Sequence, residues 1–101
     1  MPTNRMRPIH PGEILSEEFL KPLDMSANRL AEALGVPSNR ISLIIAGERG
    51  VTADTALRLS AAFGTTVQFW LNLQQSYELR LEEQNKEHAA ERRGIRRLVN
   101  A

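Results

Sequence analysis

The sequence predicts an all-α fold of five helices, the last extended into a charged C-terminal helix and tail. Three observations carry that prediction. Apolar residues recur at helical spacing, and capping Ser or Thr residues alternate with stop-signal Gly residues along the chain. The run Ala27 to Ala46, ANRLAEALGVPSNRISLIIA, places small and apolar positions where two short helices cross steeply over a tight turn. Leu43 to Ile45 is β-prone in isolation, but the pattern around it and Gly47 keep it helical.

Each element follows from local chemistry. The first helix starts at Pro11, because proline suits the first helical position, and Glu13 in its first turn favours the free amides. Ile14, Leu15, Phe19 and Leu23 form its apolar set, and Pro22 ends it. Ser26 caps the second helix, which runs to Leu34 and stops at Gly35. Pro37 opens the third, to about Ala46, and Gly47 with Gly50 frames a loop carrying Glu48 and Arg49. Thr52 caps the fourth, with Ala56, Leu57, Leu59 and Phe63 as its buried stripe and Gly64 as its stop.

Thr65 and Gln68 have capping-box spacing for the fifth and longest helix. Trp70, Leu73, Tyr77 and Leu81 lie along one seam of it, with Phe69 and Leu71 on flanking faces, which is more apolar surface than one helix needs. These four residues are therefore assigned to the core and to a homodimer interface. From Leu79 to Glu91 the helix turns strongly charged and leaves the core, and Gly94 separates it from the last segment, IRRLVNA. The resulting division is an arm over 1–10, a helix-turn-helix domain over 11–78 with its motif at 27–46, and a charged extension and tail over 79–101.

Composition narrows the function classes. With 101 residues, 42% of them hydrophobic, the chain builds one modest core. The absence of Cys removes disulfides, thiolate metal sites and thiol nucleophiles together. No apolar stretch approaches the roughly 18 residues of a spanning helix, and no basic segment with an apolar continuation opens the chain, so no membrane partner and a cytoplasmic setting are expected. A formal charge of +1 is too balanced to announce a nucleic-acid partner by itself. There is no Gly-rich phosphate loop and no nucleophile with an evident base, so no enzyme and no cofactor are expected. His10 and Glu13 could be imagined as metal ligands, but with His88 far along the chain a capping role is favoured and no metal is expected.

The motif itself points to DNA. Leu30, Leu34 and Val36 face Ile41 and Ile44 across the seam, Ala31 lets the helices approach, and Ser38, Asn39, Arg40 and Leu43 face outward. In a DNA-binding helix-turn-helix the second helix enters the major groove and its N-terminal side chains touch base edges. Asn39 and Arg40 suit paired hydrogen bonds to adenine and guanine, with solvated surface as the alternative. Ser38 and Ser42 suit phosphate or water-mediated contacts, and Leu43 either meets a thymine methyl or packs. Asn28, with the amides at the start of the second helix, suits a flanking phosphate. Arg49 suits a second phosphate or an ion pair beside Glu48. Arg92, Arg93, Arg96 and Arg97 add local positive charge that either touches a partner or is solvated. An ordinary helical hairpin that only grips a protein partner is the competing reading.

Three segments together, HPGEIL at His10 to Leu15, the helix-turn-helix, and TADTALRLSAAFGTTVQFWLNLQ at Thr52 to Gln74, resemble the HigA-type antitoxins, which are small Cro- and lambda-repressor-like DNA-binding proteins. The resemblance implies a homodimer that represses its own operon at an operator palindrome in double-stranded DNA. It further implies a cognate toxin, a messenger-RNA nuclease of the HigB type encoded beside it. Glu13, Glu17 and Glu18 on the first helix are candidate contacts for a basic toxin, although carboxylates on an amphipathic helix are often only a solvated face. A stand-alone Cro-like repressor is the nearest alternative.

Overall fold

Residues 7–99 of the computed structural model are described here, so residues 1–6 of the N-terminal arm and the last two of the tail lie outside the described residues. α1 begins as an α-helical turn, Pro11–Ile14, and continues without a break as a π-helix, Leu15–Leu20. Its wide register closes with the Lys21 amide on the Ser16 carbonyl at 3.0 Å, one residue short of Pro22. Leu23 lies in the turn beyond, out of phase with α1, and is exposed rather than part of the apolar set.

α2 (Ala27–Leu34) and α3 (Ser38–Ile45) form the helix-turn-helix. Ser26 caps α2 through its hydroxyl, which accepts from the Arg29 amide at 3.1 Å. Gly35, at φ 71°, ends it in the left-handed conformation that other residues adopt only with strain. Pro37 stands as the N-cap of α3 rather than as its first residue, and Ala46 is its C-cap. α4 (Ala53–Phe63) is capped by Thr52, as the sequence indicates. Leu57 is exposed, because Ala56, Leu59 and Phe63 share one face and Leu57 is turned about 100° from Ala56.

α5 (Val67–Glu83) is capped by Thr66, whose hydroxyl accepts from the Phe69 amide at 3.0 Å, so the capping box assigned to Thr65 and Gln68 does not form. Thr65 instead serves the core: its hydroxyl accepts the Trp70 indole N–H at 2.7 Å and its carbonyl accepts from Ser60 Oγ at 2.5 Å. The charged extension is not one continuous helix. It breaks at Gln84 and Asn85, and the Asn85 side chain caps a sixth helix, α6 (Lys86–Arg93), by accepting from the His88 amide at 2.9 Å.

The architecture is all-α. α2 packs on α3, α4 on α5, and α1 spans both pairs through contacts with α3 and α5. The buried apolar set draws on every helix from α1 to α5: Leu15 and Leu20, Leu30, Ala31 and Leu34, Ile41 and Ile44, Val51 in the following loop, Ala56 and Leu59, and Trp70. Phe19, Phe63 and Phe69 surround the indole, with Phe19 and Phe69 both 5.0 Å from it between ring centroids. α6 buries no residue and is held to α5 by Glu82, whose carboxylate pairs with His88 and with Arg92.

Gly12 is the tightest point of this packing. A methyl group there would overlap the Ile44 carbonyl oxygen and stand 2.6 Å from its carbon, so only glycine lets α1 lie against the backbone of α3. Because the obstructing atoms are backbone, relief requires moving a helix. Gly12→Ala should therefore cost about 3 kcal/mol or more, at or above the usual range for an overpacked core. Urea denaturation followed by circular dichroism measures it, and a change under about 0.5 kcal/mol would show that α1 shifts freely.

Candidate nucleic-acid interface

The inner face of α3 is locked: Ile41 and Ile44 are fully buried against α1 and α2. On its outer face Ser38, Asn39 and Ser42 are exposed and Leu43 is half-buried, which keeps both sequence readings of Leu43 open. The Ser42 hydroxyl donates back to the Asn39 carbonyl at 3.3 Å and retains its acceptor lone pairs. Asn28 is exposed in the first turn of α2, and Arg49 is exposed in the loop after α3.

Arg40 departs from the sequence reading. It is not a free outward side chain: 22% of it is exposed, and Nη1 donates to Asp54 Oδ2 at 2.8 Å. The Nε atom is buried and has no partner among the described residues. Asp54, in the first turn of α4, also accepts from Arg58 Nε at 3.1 Å on both oxygens. Arg58 reaches on to the helix-turn-helix corner, its Nη1 donating to the Leu34 carbonyl at 2.7 Å. Hydrogen bonds from Arg40 and then Arg58 hold the Asp54 carboxyl below its ordinary range. Sequence reasoning missed this network, although the spacing of Asp54 and Arg58 on one helix was a visible signal for their pairing.

The loop carrying Arg49 is tied down at two points. The Val51 amide donates to Gln74 Oε1 at 2.7 Å, and Gln74 is braced in turn by its bond to Glu78 at 2.8 Å. His10 supplies the second point, through a hydrogen bond to the Arg49 backbone. Its Nδ1 accepts from the Gly12 amide at 2.9 Å, which makes it the N-cap of α1, and its ring meets Tyr77 edge-on at 4.7 Å. An accepting Nδ1 requires the neutral imidazole with its proton on Nε2. Glu13, the other residue weighed as a metal ligand, pairs with Arg7 through two bonds of 3.0 Å. Among the described residues no group of three or more His, Cys, Asp or Glu side chains is arranged to hold a metal ion.

The seam assigned to dimerisation divides. Trp70 is wholly within the core of one chain, so full burial removes it as an interface residue. Leu73 and Tyr77 are half-buried, while Leu81 is 45% exposed and Leu79, which the sequence reading did not assign, is 59% exposed. In the basic tail Arg92 is engaged by Glu82 and Arg97 also has a partner, whereas Ile95, Leu98 and Val99 are exposed. Of the acids on α1, Glu17 pairs with Lys21 at 2.6 Å and Glu18 is exposed. No helix of the described residues is long and apolar enough to cross a membrane.

Comparison with known proteins places this geometry. The helix-turn-helix family matches residues 17–70. Virulence-associated protein I of Dichelobacter nodosus is 55% identical over 84 residues, covering 83% of this chain and 78% of that protein. Antitoxin HigA-1 of Vibrio cholerae is 45% identical over 80 residues, covering 78% of this chain and 74% of that one. The solved structure of Pseudomonas aeruginosa antitoxin HigA with the higBA promoter superposes with a TM-score of 0.84 at 43% identity, over 92% of this chain and 100% of that chain.

Because the cap of α1 is a neutral histidine, stability should depend on pH. Burial lowers the His10 pKa below its ordinary 6.5, with the Arg49 bond a smaller opposing effect. Well above pH 6.5 neither the folded nor the unfolded chain protonates this ring, and the contribution is complete. As pH falls below that value the unfolded chain binds the proton first, and the contribution is lost until the lowered folded pKa is passed. Denaturation midpoints measured across this window should drop more for the parent than for His10→Asn, whose amide oxygen caps without titrating. Parallel curves would mean that His10 is no cap.

Proposed function

The chain belongs to the HigA family of helix-turn-helix antitoxins, and from that premise we propose that it binds an operator palindrome in its own promoter as a two-fold dimer. It thereby represses its own operon and neutralises a messenger-RNA nuclease toxin of the HigB type. The observation that carries the DNA reading is α3: Asn39, Ser38 and Ser42 stand exposed on a helix whose opposite face is immobilised by Ile41 and Ile44. A helix fixed in this way presents its polar side chains at set positions, which direct base readout requires.

The roles follow from donor and acceptor chemistry. The Asn39 amide both donates and accepts, which matches the N6 and N7 of adenine. Ser38 and Ser42 meet phosphate or bridging water, and Leu43 meets a thymine methyl. Asn28 with the first amides of α2, and Arg49 beyond α3, hold the flanking phosphates and set register. Leu73, Tyr77 and Leu81 of α5, which share one side of the helix, supply the dimer surface. Two recognition helices on one face of DNA then address half-sites about 34 Å, or one turn, apart.

Asn39→Ala should cost about 1–3 kcal/mol of discrimination at one base position of each half-site and leave other positions unaffected. Titration against the promoter duplex and single-base variants reads this; an unchanged preference would take α3 out of the groove. Leu81→Glu should convert a dimer to a monomer in sedimentation at micromolar concentration and reduce footprinting to weak, partial protection. A parent protein that sediments as a monomer would contradict the dimer. Co-expression with the adjacent gene product tests the toxin. Co-purification and growth rescue support it, and failure of both leaves a stand-alone repressor.

A further inference from the structure

We propose that Asp54 is a positioning residue for DNA discrimination: it holds Arg40 in one conformation, so that the guanidinium meets DNA from a fixed pose instead of adapting to whatever phosphate is near. The inference rests on the DNA-binding reading above and adds a residue outside the helix-turn-helix to it. Arg40 sits in the first turn of α3, where a long cationic side chain would otherwise sweep a wide arc across the surface. The structure forbids that sweep. Nη1 is taken by Asp54 at 2.8 Å, and the side chain is mostly covered. Its Nε atom is buried without a partner among the described residues, so the guanidinium is seated here although that donor gains no bond from them. Asp54 is held in its turn by Arg58 through bonds of 3.1 Å to both oxygens, and Arg58 is anchored at 2.7 Å to the Leu34 carbonyl at the end of α2. The chain of contacts therefore runs from the motif's corner through α4 to the start of the recognition helix.

The consequence is thermodynamic. A loose arginine binds phosphates on any sequence, which raises affinity without discrimination. A fixed arginine contributes only where the DNA offers an acceptor at its one position, and it loses no further side-chain freedom in doing so. Simple masking, in which Asp54 withholds Arg40 until DNA displaces it, predicts the opposite: freeing Arg40 would then strengthen operator binding at least as much as binding to other DNA.

The test is a double-mutant cycle of Asp54→Asn and Arg40→Ala, titrated against promoter DNA and a scrambled duplex over a range of salt. Asp54→Asn should strengthen binding to the scrambled duplex more than to the promoter. It should also steepen the logarithmic salt dependence on scrambled DNA by about 0.9 per protomer, so that a fourfold rise in salt costs roughly 3.5-fold more affinity per protomer than in the parent, or about 12-fold for the dimer. With Arg40→Ala already present, Asp54→Asn should change both duplexes alike, because what then remains, the lost carboxylate charge and the loosened Arg58, acts on phosphates of any sequence. An unchanged promoter-to-scrambled ratio, a gain favouring the promoter, or an effect that persists without Arg40 overturns the proposal. Where Asp54→Asn does not fold, the Arg40 Nε–H resonance of the parent decides. It should remain protected from solvent exchange on promoter DNA, and free exchange there overturns the positioning role. A parent that binds neither duplex removes the DNA-binding reading and this inference together, whereas binding with an unaltered ratio removes the inference alone.

Discussion

The contact on which the rest of this structure depends is the one between Gly12 and the carbonyl of Ile44. It brings the first turn of α1 against the backbone near the end of α3, closer than any side chain allows. Around it the local chemistry of the first turn is organised: His10 caps from one side, Pro11 is buried at the first helical position, and Leu15 enters the core. Since backbone is pressed on backbone, the α1–α3 distance cannot drift with rotamers. The recognition helix is thereby held from behind by α1, from below by α2 through Ala31, Ile41 and Ile44, and at its start by the Arg40–Asp54 bond.

The same economy extends to the loop after α3. His10 and Gln74 reach it from different elements, and each bonds the backbone rather than a side chain. The Arg49 guanidinium remains exposed while the chain that carries it is fixed. That arrangement suits a phosphate contact, in which a long side chain adapts at the end of a rigid support.

Much of this was legible in the sequence, for identifiable reasons. Ser26, Gly35, Thr52 and Gly64 act through neighbours within a few residues, so their roles follow from local order, and the helices they bound appear where expected. The core positions Leu15, Leu30, Leu34, Ile41, Ile44 and Leu59 follow from helical period. What escaped depends on contacts between distant segments or on small differences in phase. Thr66 and Thr65 are adjacent and equally able to cap; the choice is made by the indole of Trp70, which claims Thr65. Leu57 was misassigned because a run of apolar residues conceals which of them faces inward. Arg40 looked outward because spacing alone does not reveal an acid on another helix, and the break at Asn85 was hidden by a charged run that suits either one helix or two.

The distribution of cations bears on how such a protein holds DNA. A formal charge of +1 leaves little long-range attraction, and several cations are neutralised within the chain: Arg7 by Glu13, Lys21 by Glu17, Arg40 and Arg58 by Asp54, Arg92 by Glu82. On the proposed reading, the DNA face then relies on neutral donors such as Asn28, Ser38 and Asn39, on helix N-terminal amides, and on few full charges. Neutral contacts release no counterions, so they add little affinity for arbitrary sequence and are sensitive to geometry. Affinity must come from presenting the face twice, which makes the dimer surface of α5 part of the binding apparatus. It also explains why the rigid seating of α3 matters: a weakly charged surface that binds by fit has no reserve of electrostatic attraction with which to tolerate a misplaced helix.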